Sequence, residues 1–195
     1  AALRKITHKP GVHQTKLSPD GLYLLDQFSN LENPGTTQVI DTKTGRVNVL
    51  NQAENPLSDY AIGKTIFNQI KSPDGDVLYY RLITPNQFDS SNAYPVLIYV
   101  YGGPHAQLVT NSWLGGASLW MHWMANQGYL IYTLDGRGSA NRGFEFESAI
   151  FRNLGQLEMK DQIEGVKFLK KKAFVDSERI AVHGWSYGGF MTTSL

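Results

Sequence analysis

Three continuous apolar runs, each of strand length and each ending in glycine, constrain this chain more than any other feature. Residues 95–101 (Pro-Val-Leu-Ile-Tyr-Val-Tyr) end in Gly102-Gly103-Pro104, residues 129–134 in Asp135-Gly136-Arg137-Gly138, and residues 179–183 in Gly184. A run without alternation suits a strand covered on both faces. Between the runs lie helical patterns. Residues 118–127 predict a helix stopped by Gly128. In residues 157–172, Met159, Ile163, Val166 and Leu169 share one helical face, with lysines at the end the dipole favours. Strands alternating with helices predict an α/β fold with a largely parallel sheet.

The first part of the chain has a different rhythm. Residues 13–17 alternate, Ser18-Pro19-Asp20-Gly21 makes a turn, and residues 22–28 return as a strand. A loop over 30–36, strands at 37–41 and 46–50, and a turn at 42–45 complete the pattern. Four strands in so short a span amount to about one propeller blade, which cannot bury both faces alone. A small independent β module is the alternative, although so short a sheet is marginal. The turn tetrapeptide recurs as Ser72-Pro73-Asp74-Gly75, between a strand at 65–71 and a long strand at 76–83. The expected boundary lies near residues 55–63. Domain one is then 1–55, the end of a β-propeller, and domain two is 56–195, the first half of an α/β-hydrolase.

Charge and composition exclude several classes. Eighteen Lys+Arg against 17 Asp+Glu leave a net charge of +1, without the basic surplus that phosphate binding needs. The longest apolar stretch, residues 94–101, is far short of the ~20 residues of a membrane helix. With no cysteine there is no thiol nucleophile and no cysteine-ligated zinc. No metal or organic cofactor is implied.

The chemistry concentrates where the third run ends. Gly184-Trp185-Ser186-Tyr187-Gly188 fits G-x-S-x-G after a strand, with Gly189 opening a helix. In that setting a serine stands on a sharp turn with its hydroxyl exposed above the sheet. Its attack on a carbonyl creates an oxyanion that needs two preorganised donors. The backbone N–H of Tyr187 is one. Tyr101, at the mouth of the first run, offers a phenol for the other, and residue chemistry alone leaves it open between that role and the last aromatic of an apolar strand. All five histidines precede the serine. His105 lies beside the glycine loop, His122 in a helix with Trp120 and Trp123, and His183 on a strand expected to be buried, where a structural role is the default.

Tyr101-Gly102-Gly103-Pro104, Asp135-Gly136-Arg137-Gly138-Ser139 and Gly184-Trp185-Ser186-Tyr187-Gly188-Gly189, in that order and spacing, resemble the prolyl oligopeptidase family and its dipeptidyl peptidase IV branch. The fuller stretches 99–110, 138–143 and 182–193 are similar to the bacterial prolyl tripeptidyl and dipeptidyl aminopeptidases of that branch. The resemblance implies a serine exopeptidase that releases N-terminal di- or tripeptides after proline or alanine, with no nucleic-acid partner and no membrane insertion. It implies Ser186 as nucleophile, Tyr101 and Tyr187 as oxyanion donors, and the Tyr187 ring as a wall of the proline pocket. Trp185, Asp135 and Arg137 read as support for the elbow and its loops.

Chain order in this fold is Ser, then Asp, then His, and nine residues follow Ser186. The expectation is therefore a fragment whose triad Asp and His lie beyond residue 195, inactive alone, with the elbow strand at an open sheet edge. The family's acidic site for the substrate amino group has no match here. Another α/β-hydrolase, such as an acylaminoacyl peptidase or carboxylesterase, and a non-catalytic binding module are the competing readings. A periplasmic or cell-surface location is expected from bacterial relatives. Family members are often homodimeric.

Overall fold

A computed structural model describes residues 3–195, a mixed α/β structure with two sheets. The chain divides into two compact units. One ends at Tyr60 and takes in Thr110–Ala117; the other comprises Ala61–Val109 and Ser118–Leu195.

The first unit is an antiparallel meander of β1 (Val12–Leu17), β2 (Tyr23–Asn30), β3 (Asn33–Asp41) and β4 (Val47–Gln52). Leu24, Asp26 and Phe28 of β2 and Thr36, Gln38 and Ile40 of β3 point to one covered face. Polar members of that face pair with one another and with a neighbouring strand, although Gln38 Oε1 has no partner among the described residues. The buried Asp26 carboxylate accepts from Gln38 Nε2 at 2.7 Å and pairs with His13 Nδ1 at 2.9 Å. The loop expected over 30–36 is instead a tight turn. Asn30 Oδ1 accepts the N–H groups of Glu32 and Asn33, at 3.1 and 2.9 Å, so the strand resumes at once and carries Pro34 and Gly35. An asparagine folding its side chain back on the backbone turns the chain in fewer residues than Pro and Gly suggest.

The second unit contains β5 (Thr65–Lys71), β6 (Val77–Ile83), β7 (Tyr94–Tyr99), β8 (Leu130–Asp135) and β9 (Val175–His183) in the order β5-β6-β8-β7-β9. Its helices are α1 (Leu119–Asn126), α2 (Phe144–Ser148), α3 (Leu157–Lys170) and α4 (Tyr187–Ser194). Parallel pairing is confined to β8-β7-β9, and β5 and β6 join antiparallel. The largely parallel sheet read from the sequence is therefore parallel on one side only. β8 is buried along its whole length, as its unbroken apolar run requires. Leu78, Tyr80, Val96, Ile98, Leu130, Tyr132, Leu134 and Leu169 form the core. Each fully buried aliphatic side chain contributes about 1.5–3 kcal/mol.

Two further expectations are corrected. The face α3 turns inward carries Glu158, Asp161, Gln162, Gly165 and Leu169, whereas Ile163 of the apolar stripe is 41% exposed. The polar side chains are buried because each finds a partner, as described below. β9 is the edge strand of the sheet, so its Arg179, Ala181 and His183 are exposed rather than enclosed. The His183 ring lies against Trp120 and Tyr99 with centroids 5.4 and 5.9 Å away.

Candidate active site

The strand β9 leads through Gly184 and Trp185 to Ser186, which has φ 57° and ψ −125° and is followed directly by α4. An L-residue reaches that backbone region only when its surroundings impose it. They do so here through close packing of backbone. Val100, just beyond β7, donates its N–H to the His183 carbonyl at 3.0 Å. A Cβ on Gly184 would stand 2.5 Å from the Val100 carbonyl oxygen, and one on Gly188 would stand 2.3 Å from the same atom. Both positions therefore exclude side chains. A Cβ on Gly189 would meet nothing nearer than 3.8 Å, so that glycine is not required by contact. The Ser186 carbonyl accepts from the N–H groups of Gly189 and Phe190, at 2.9 and 3.2 Å, which starts the helix. Ser186 and Trp185 are exposed.

Tyr101 follows the end of β7 and is partly buried. Its ring centroid is 6.3 Å from that of Tyr187, the first residue of α4. A Cβ on Gly103 would lie 2.6 Å from Tyr101 Cε1 and 3.2 Å from Tyr187 Cγ, so both rings use the space that glycine leaves. The Tyr187 ring also packs on Phe190 at 5.3 Å. Its hydroxyl donates to Glu158 Oε1 at 2.5 Å. Burial, and then the neighbouring Glu158 carboxylate, push the Tyr187 phenol up to about 12. The structure thus brings Ser186, Tyr187 and Tyr101 to the ends of two adjacent parallel strands, β9 and β7.

The loops around them rest on buried charge. Asp135, at the end of β8, accepts the N–H groups of Leu108 and Val109 at 3.0 and 2.8 Å, and burial raises its carboxyl above the ordinary value. Arg81 on β6 donates to the Leu108 carbonyl at 2.9 Å and to Thr133 Oγ1 at 3.0 Å, and desolvation lowers its guanidinium to about 10. Arg137 meets the fully buried Asp161 through two nitrogens, Nη2 at 2.6 Å and Nε at 3.0 Å, and its Nη1 donates to Asp74 at 2.5 Å. Its backbone N–H also reaches Asp161, at 2.8 Å. The hydrogen bond to Asp161 raises the Arg137 pKa further above its ordinary value. Gln162 donates to the Leu134 carbonyl at 3.0 Å, so α3 is tied to the end of β8 twice.

Glu158 and Asp161 were not among the candidates from sequence. Positions 158, 161, 162, 165 and 169 are nevertheless spaced as one helical face as regular as the apolar one. The histidines lie elsewhere in the unit. His105, with φ 61°, is exposed and its Nδ1 contacts Glu147 Oε1. His122 is buried on α1 and His183 is exposed on β9. An open hollow of about 840 Å³ is lined by Phe144, Ile150, Phe151 and Leu154 with His105 and Glu147. Among the described residues no cluster of metal-ligating side chains is spaced to hold an ion, and no helix is long and apolar enough to cross a membrane.

Comparison with known proteins covers this geometry. Residues 117–195 match the model of the prolyl oligopeptidase family. Dipeptidyl peptidase 8 of Mus musculus is 33% identical over 96% of this chain and 22% of its own length. A crystal structure from Bacteroides ovatus, described as a dipeptidyl aminopeptidase IV, superposes with a TM-score of 0.92 at 49% identity, over 96% of this chain and 27% of that one. Dipeptidyl peptidase 4 of Porphyromonas gingivalis superposes with a TM-score of 0.88 at 28% identity, over 98% and 27% respectively. The chain thus spans about a fifth to a quarter of the length of the proteins it matches.

Proposed function

From the premise that the chain belongs to the prolyl oligopeptidase family, we propose that it carries the nucleophile and oxyanion donors of a dipeptidyl peptidase IV-type serine exopeptidase. The observation that carries this reading is Ser186, held at φ 57° between a parallel strand and a helix N-terminus, with Tyr101 and Tyr187 beside it. In this reading the Ser186 hydroxyl gives its proton to the general base and attacks the carbonyl carbon of a proline or alanine near a peptide N-terminus. The oxyanion accepts hydrogen bonds from the Tyr101 phenol and the Tyr187 N–H, where the helix N-terminus adds positive potential. The C–N bond breaks as the amine departs with a proton from the general base, and water then releases the acyl group from Ser186. The Tyr187 ring forms one wall of the pocket for proline.

Residues 1–55 read as propeller strands and 56–195 as the first half of an α/β-hydrolase domain. The histidines of the second unit are occupied elsewhere: His105 with Glu147, His183 against aromatic rings and His122 inside α1. Our reading therefore assigns the base and its acid to residues outside these 195, and the chain alone to the inactive state. A periplasmic or cell-surface location belongs to the same proposal, and cell fractionation tests it.

The test is a fluorophosphonate probe on the full-length protein, with turnover of Gly-Pro- and Ala-Ala-Pro-nitroanilides against short acyl esters. Labelling confined to Ser186, and a loss of at least about a thousandfold in Ser186→Ala, are expected. Tyr101→Phe should lower kcat by about a hundredfold or more, as loss of one oxyanion donor does. Absence of labelling would reduce the fold to a binding module, and a preference for acyl esters would make it an esterase. Turnover by the isolated chain at the full-length rate would refute its inactivity.

A further inference from the structure

Resting on that reading of Ser186, we infer that Glu158 is a positioning residue for the substrate pocket, anchoring the Tyr187 phenol so that its ring stands as a fixed wall beside the nucleophile. Glu158 lies in the first turn of α3 and is 1% exposed. A buried carboxylate is costly unless donors or a cation meet it. Among the described residues no ion pair meets this one. Its Oε1 accepts from the Tyr187 hydroxyl at 2.5 Å and the Gly155 N–H at 2.6 Å, and its Oε2 has no hydrogen-bond partner there. The helix N-terminus offsets part of the cost. The buried charge thus serves two donors, and one belongs to the residue immediately after Ser186.

The contacts of the Tyr187 ring explain why that bond matters. Phe190 and Tyr101 lie tilted against it at centroid distances of 5.3 and 6.3 Å. Such contacts are non-directional and leave the ring free to tilt. Among the described residues, the hydroxyl at its far end donates its hydrogen bond to Glu158. Glu158 also fixes the Gly155 N–H at φ 79°, where a Cβ would stand 2.9 Å from Phe190 Cζ, so the same carboxylate steadies the ring that packs on Tyr187. Because Tyr187 stays protonated well into the alkaline range, the donor persists at any pH where a peptidase works. A ring held at both ends offers proline a preorganised surface, and one held only at its base does not.

Steady-state kinetics on the full-length protein test this with Pro-linked nitroanilides. Glu158→Ala should raise KM about tenfold and change kcat less than about threefold, the range expected for a lost charge-assisted hydrogen bond in ground-state binding. Glu158→Gln retains an acceptor and should stay within about threefold of the parent. Tyr187→Phe cuts the same bond from the less buried end, keeps the backbone N–H and leaves Gly155 its acceptor. It should reproduce the KM change even where Glu158→Ala does not fold. The double variant Glu158→Gln/Tyr187→Phe should be no worse than Tyr187→Phe alone. A silent Tyr187→Phe, additive effects, or an equal loss in Gln and Ala variants overturns the assignment. A second readout needs no turnover. In the phenolate absorbance titration, the step assigned by difference to Tyr187 should move down in Glu158→Gln. If Ser186 is never labelled, the peptidase reading fails while this shift still decides whether Glu158 holds the phenol. An unmoved step overturns that hold.

Discussion

The tetrapeptide Ser-Pro-Asp-Gly occurs at residues 18–21 and again at 72–75, once in each unit, and the two copies put their aspartates to different uses. Within the four residues their turns agree. Gly21 donates to the Ser18 carbonyl at 2.9 Å and Gly75 to the Ser72 carbonyl at 3.0 Å, with glycine φ of 72° and 94°. The serine hydroxyl accepts an N–H five residues on in the first copy, from Tyr23 at 2.9 Å, and four residues on in the second, from Asp76 at 3.0 Å. Asp20 then folds back on its own turn, accepting from Ser18 Oγ at 2.6 Å and the Leu22 N–H at 3.0 Å. Asp74 reaches instead for Arg137, 63 residues away. Four residues suffice to shape the turn. What the aspartate is used for depends on whether tertiary structure brings a cation to it.

The sharpest way to break this comparison is to remove the cation. Arg137→Ala leaves the buried Asp161 without its partner and should cost about 3–5 kcal/mol, seen as a lower urea midpoint of the unit that holds the elbow. A loss under about 1 kcal/mol would mean that the buried pair is not what ties α3 to the sheet. Next in size are Gly21→Ala and Gly75→Ala. A Cβ at either position meets nothing within 4 Å, so only the positive φ is penalised. Each should cost about 1 kcal/mol, and by the same amount. Unequal losses would show that the two turns share a spelling and not a conformation.

The smallest effects belong to the aspartates. Asp74 keeps a 64% exposed side chain beside Arg137. Asp74→Asn should therefore cost less than about 1 kcal/mol, and added salt should erase the difference. The Ser18 hydroxyl, and then the Leu22 N–H, hold the Asp20 carboxyl below its ordinary value. A depressed carboxylate stabilises above its unfolded pKa, and the benefit fades as pH falls through the folded one. Asp20→Asn should thus be slightly less stable than the parent near neutrality and converge with it in acid. A gap that widens in acid would reverse the sign and remove Asp20 from the turn's energetics.

These cases show which features the sequence made legible. Turns, buried strands and the glycine-flanked serine depend on local rules: φ-tolerant glycines, unbroken apolar runs and close backbone passage at Gly184 and Gly188. What escaped depends on partners far along the chain. Hydropathy assigned the inner face of α3 to Met159, Ile163, Val166 and Leu169, but Arg137, Tyr187 and the Leu134 carbonyl draw Asp161, Glu158 and Gln162 inward. His183 looked enclosed because its strand is apolar, although the same strand was expected at an open sheet edge, where β9 lies and leaves the ring exposed. The turn at Asn30 was hidden by Pro34 and Gly35, which read as loop and lie in a strand.

The backbone of Ser186 has one more consequence. A residue held in that region sits about 1–3 kcal/mol above a relaxed conformation, and glycine alone occupies it without strain. Drift unopposed by any use of the hydroxyl would replace this serine early, because the fold gains from losing it. Laboratory evolution of this protein toward heat resistance, without a screen for turnover, should therefore return S186G among its first winners, and under the proposed role of Ser186 those survivors would be catalytically silent.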